Sequence, residues 1–140
     1  MTMSTAKRQR LLQLFAGLGA AGMLVTAVLL VTPWETSMWL LSFLGDVDIV
    51  YNPLLDYWMR MAAGAFTLMG LPYLMVAWRP LRYDEWVPWL GWITLAEGAI
   101  LLAHGMRLGL SPLPFYADVT FCVVVGTGLL LFREQSEAGV

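Results

Sequence analysis

Long apolar stretches alternate with short polar ones along this chain. Leu11 to Thr32 carries no charged residue, and Pro53 to Trp78, Trp86 to Leu108 and Pro114 to Phe132 are apolar over most of their length. A helix that crosses a bilayer needs about 20 such residues. The pattern therefore predicts an all-α polytopic bundle with membrane spans at about 11–32, 53–78, 86–108 and 114–132, in a single integral membrane domain, 1–140. Pro33 ends the first span. Asn52-Pro53 reads as the start of the second, with Asn as the cap and Pro at the first helical position. Pro72 predicts a kink that a membrane helix tolerates, and Pro88 sits harmlessly in the first turn of the third span. Pro112 and Pro114 bracket Leu113 in a loop expected over Gly109 to Phe115. In the first span Ala16, Gly17, Gly19, Ala20, Ala21 and Gly22 suit close approach by a neighbouring helix.

Between the first two spans, Ser37 to Leu44 is apolar but too short to cross. Trp34 and Trp39 suit a membrane interface. A short outer interfacial helix is expected there, or alternatively a re-entrant segment, followed by a turn at Gly45-Asp46.

Composition agrees with this layout. The chain has 140 residues, 59% hydrophobic and 13% charged, against about 45–50% apolar and about 25% charged in soluble domains. The opening MTMSTAKRQR resembles a signal-peptide n-region. However, Leu11 to Thr32 exceeds an h-region of about 7–15 residues, and Thr-Pro-Trp-Glu follows it, so a retained span is expected. Lys7, Arg8, Arg10, Arg79, Arg82 and Arg133 fall on one side of the predicted bundle. The other side holds Glu35, Asp46, Asp48 and Asp56, with only Arg60 and Arg107 as cations. The positive-inside bias then places both termini in the cytoplasm. Cys122 is the single cysteine, which excludes an internal disulfide and any CxxC pair. His104 is the single histidine, which excludes bis-histidine haem within one chain. No cofactor, bound metal or nucleic-acid partner is expected. The expected partners are the lipid bilayer, and another membrane protein or a second copy of the chain.

The chemistry gathers on the third span. Glu97 and His104 lie two turns apart on nearly one face, at about 100° per residue. An ionised carboxylate at mid-span is costly and needs a protein or water environment. Counting the second and third spans as a hairpin closed at Arg79–Glu85 levels Thr67 with Glu97 and Arg60 with His104. The fourth span then brings Asp118 near the level of Met106. This count gathers a buried polar cluster of Asp56, Arg60, Thr67, Glu97, His104, Arg107 and Asp118. Its bland reading is mutual neutralisation that ties helices together, with Arg60 against Asp118. Its sharper reading is an outward-facing ligand or proton site. Cys122 reads as a small core residue, and the many Trp and Met residues as anchors and lipid-facing filler.

Four spans with one deep glutamate are similar to the small multidrug resistance transporters, but there the essential carboxylate lies in the first span, which here has none. NPLLDYWMR and HGMRLGLSPLPFYAD, with the four-span layout, resemble small bacterial inner-membrane proteins of the domain-of-unknown-function type. That resemblance implies a bacterial inner-membrane location and no particular activity. The expected function is a non-enzymatic accessory or structural subunit of a membrane assembly. The alternatives are a small proton-coupled transporter using Glu97 and His104, or a subunit of a quinone-reactive oxidoreductase similar in layout to DoxX-type proteins. Against independent catalysis stands the lack of a nucleophile–base pair or metal cluster. No catalytic residue is assigned.

Overall fold

A computed structural model describes residues 4–45, 50–110 and 112–133. Asp46 and Asp48, the Asp46 half of the expected turn and the tail after Arg133 lie outside them. The described residues form helices and no strand: α1 (Thr5–Leu24), a 3₁₀ turn (Val25–Ala27), α2 (Val28–Val31), α3 (Trp34–Gly45), α4 (Pro53–Trp78), α5 (Trp86–Leu108) and α6 (Pro112–Phe132). Four helical stretches are long and apolar enough to cross a membrane: Thr5–Val31, Pro53–Trp78, Trp86–Leu108 and Phe115–Phe132.

Local chemistry explains the boundaries. Asn52 Oδ1 accepts from Leu54 N at 2.9 Å, so α4 begins at Pro53 as a capped helix. The helix continues through Pro72. Gly109 ends α5 in the left-handed conformation, φ 61°, and Leu110 N returns to Gly105 O at 3.2 Å. That is the glycine stop in which chain reversal satisfies the last carbonyls.

Two expectations need correction, at the first span and at the loop over Gly109 to Phe115. The first long helix starts at Thr5 and breaks at Val25–Ala27, where a continuous helix over 11–32 was expected. Thr26 Oγ1 donates to Met23 O at 2.7 Å, and such back-bonding competes with the helical ladder. The short outer helix expected over 37–44, on the surface or capping the bundle, is present as α3, which begins at Trp34 and touches α6. Its Ser37 is buried, with the hydroxyl 2.8 Å from that of Thr32. Finally, α6 begins at Pro112, so Pro112 and Pro114 both stand in its first turn. Their missing N–H groups cost nothing there.

The packing order is α4, α1, α6, α5. α1 packs against α4 and α6, α6 packs against α5, and α4 meets α5 only sparsely. Close approach of α5 and α6 rests on Gly91 and Gly98, seven residues apart on one stripe. A methyl on Gly91 would lie 2.7 Å from Leu130 Cγ, and one on Gly98 would lie 2.8 Å from Cys122 Cβ. The core joins Leu12 and Ala16 of α1, Val76 of α4, Val87 of α5 and Leu129 of α6. All five lie toward the end of the bundle that holds the α4–α5 connection, hereafter the terminal end. Large apolar side chains, among them Leu18, Leu68, Ile93 and Leu131, face outward along the long helices.

Candidate functional site

The polar residues predicted as one cluster fall into two groups. In the first, Arg60 Nε lies 2.9 Å from Asp56 Oδ1, one turn back on α4. Its Nη1 donates to Leu29 O, Leu30 O and Thr32 O, each at 3.2 Å. These carbonyls end the first long helix and have no intrahelical partner. Arg60 thus closes the end of α2. Its acid is Asp56, not Asp118, and its level with His104 produces no contact. Two turns further in, Thr67 Oγ1 donates to Ala63 O at 2.7 Å and lies 3.4 Å from Thr26 Oγ1, which is itself 3.2 Å from Ala63 O. Thr67 therefore meets α1 at the 3₁₀ turn, not Glu97.

The second group lies on α5 and α6. Glu97 is half-buried, while His104, Arg107 and Asp118 are exposed. None of the four has a hydrogen bond or ion pair among the described residues. Asp118 is placed on α6 four residues before buried Cys122 and seven before buried Val125, on the inward stripe. It is nonetheless exposed. Glu97 and Asp118 stand within electrostatic range of each other, and Cys122 within range of both. Glu97 lies three residues beyond Thr94, the position where α5 still touches α4. α4 and α5 meet only sparsely, and Glu97 and His104 stand further along α5 than that contact. Arg107 is three residues further on and about 60° off the stripe of Glu97 and His104.

The contact that joins α4 to α5 was missed in the sequence. Tyr73, 1% exposed, hydrogen-bonds through its hydroxyl to Thr94 Oγ1 and reaches Leu90 O at 3.5 Å. Thr94 Oγ1 in turn lies 2.6 Å from Leu90 O. The Tyr73 ring also fills the space beside Gly19, so one phenol pins α1, α4 and α5 together. A buried tyrosine needs a partner for its hydroxyl, and Thr94 was the polar residue in an apolar span that could have signalled it.

Among the described residues no group of His, Cys, Asp and Glu is arranged to hold a metal ion. Comparison with known protein families, curated proteins and solved structures returned no match.

Proposed function

We propose that the chain is a multi-pass protein of a bacterial inner membrane, with both termini and the 79–85 connection in the cytoplasm, and that it serves as a non-enzymatic accessory subunit of a membrane assembly. The observation that carries this reading is that Glu97, His104 and Asp118 have no hydrogen bond or ion pair among the described residues, beside helices α4 and α5 that meet only sparsely. Ionisable groups at membrane depth face protein or water. A neighbouring subunit seated against α4 and α5 supplies that environment. Extraction in a gentle detergent with mass spectrometry tests the proposal. A stoichiometric membrane-protein partner, lost when Glu97 and His104 are both replaced by Leu, is the expected result. Purification as a lone monomer in nanodiscs would overturn it.

A second reading draws on the electrostatic proximity of Glu97 on α5 and Asp118 on α6. In a small proton-coupled carrier these carboxylates and His104 form the water-accessible path. Under this reading the purified chain alone shows pH-dependent flux in proteoliposomes. Glu97→Gln keeps the fold and abolishes that flux.

A further inference from the structure

We propose that the terminal end of the bundle binds anionic phospholipid headgroups, with Arg10, Arg79 and Arg82 as the contact cations. Gln13 Nε2 donates to Ala77 O at 3.2 Å, which ties the start of α1 to the end of α4. Arg10 stands three residues before Gln13 on the same face, and Arg79 two residues after Ala77. The tie therefore places both cations at the terminal end of the bundle, with Arg82 following in the α4–α5 connection. All three are exposed, and none has an ion pair among the described residues, although Asp84 and Glu85 are close in sequence.

Helix electrostatics do not account for the basic residues of α1. Lys7, Arg8 and Arg10 lie in its first turns, where the positive end of the helix dipole disfavours cations. Gathering unpaired positive charge at one end is stable where the surroundings supply the counterion. The apolar collar identifies those surroundings. Trp78, Leu81, Trp86 and Trp89 are exposed around the same connection, and the Arg79 guanidinium lies 4.5 Å from the Trp78 ring centroid. Indole rings prefer the headgroup level of a bilayer. A ligand that meets guanidinium groups and exposed indole and leucine surface together has an anionic head and an apolar tail. A free phosphate has only the first.

Full-length protein in nanodiscs of equal phosphatidylglycerol and phosphatidylcholine tests this, with the co-extracted lipids read by native mass spectrometry. Each basic side chain near an anionic surface favours binding by roughly fivefold, so three give a phosphatidylglycerol preference on the order of a hundredfold. The triple variant Arg10→Gln, Arg79→Gln, Arg82→Gln should bring the two lipids close to parity. The corresponding triple Lys variant should retain most of the preference. Salt at about 1 M, where the screening length falls to about 3 Å, should erase it in the wild type. If the Gln triple loses helicity, Arg79→Gln alone is read for its fivefold loss. Equal retention of both lipids by the wild type would overturn the proposal, as would an undiminished preference in a folded Gln variant. Displacement of the lipid by an equal concentration of inorganic phosphate would also overturn it, in favour of a simple anion site.

Discussion

A methyl group added at Gly98 and one added at Gly17 have opposite expected effects. At Gly98 it would press on Cys122 Cβ, whereas at Gly17 nothing lies within 4 Å. Gly98→Ala should lower stability by about 1–3 kcal/mol, the usual cost of overpacking. Gly17→Ala should be neutral or raise it by up to about 1 kcal/mol through helix propensity. Thermal unfolding in detergent measures both, and equal effects would contradict the α5–α6 packing. Arg60 offers a second test. Arg60→Ala should cost about 1–2 kcal/mol through its charge-assisted bonds to carbonyls, at the lower end because the side chain is 32% exposed. In double-mutant cycles it should couple to Asp56 by about 0.3–0.5 kcal/mol and be additive with Asp118. Coupling to Asp118 would restore the pairing that sequence counting suggested. Counting paired Arg60 with His104 and Thr67 with Glu97, but it could not find their partners. Depth follows from rise per residue, whereas distance across a bundle depends on which helix stands between. Here Thr26 in the 3₁₀ turn occupies the place assigned to Glu97.

The helices themselves were more legible. Asn52-Pro53 marks the start of α4 and Trp78 its end, because capping and proline chemistry act within a few residues. The 3₁₀ break at Val25–Ala27 was not legible, since Thr26 bends the helix only through bonds that include Ala63 O and Thr67 of α4. The separation of α4 from α5 was also hidden. A short connection suggests close neighbours along their whole length, yet these two are pinned at Tyr73 and then part. Spin labels at Leu55 and Met106, far from the connection, should therefore give a longer distance than labels at Trp78 and Trp86, read by pulsed electron resonance. Equal distances would show that α4 and α5 remain packed. Tyr73→Phe should widen the first distance distribution, since it removes the hydroxyl contact with Thr94.

For the whole molecule, the charge pattern was the clearest signal, and it depends only on which residues are basic. Single-cysteine variants in a Cys122→Ser background should be labelled at position 82 from the cytoplasm and at position 51 from the opposite side. Periplasmic labelling at 82 would reverse the proposed topology. How the four long helices sort themselves was not readable, because apolar periodicity identifies inward faces without naming the neighbour each one meets. That sorting has a consequence during synthesis. α1 is made before the two helices it rests on, α4 and α6, and α5 gains its main support only from α6. A chain arrested before Pro112 therefore holds α5 by little more than Tyr73, with the stripe of Gly91 and Gly98 bare. Because α6 joins the other halves, α5 waits open to membrane proteases until that helix arrives.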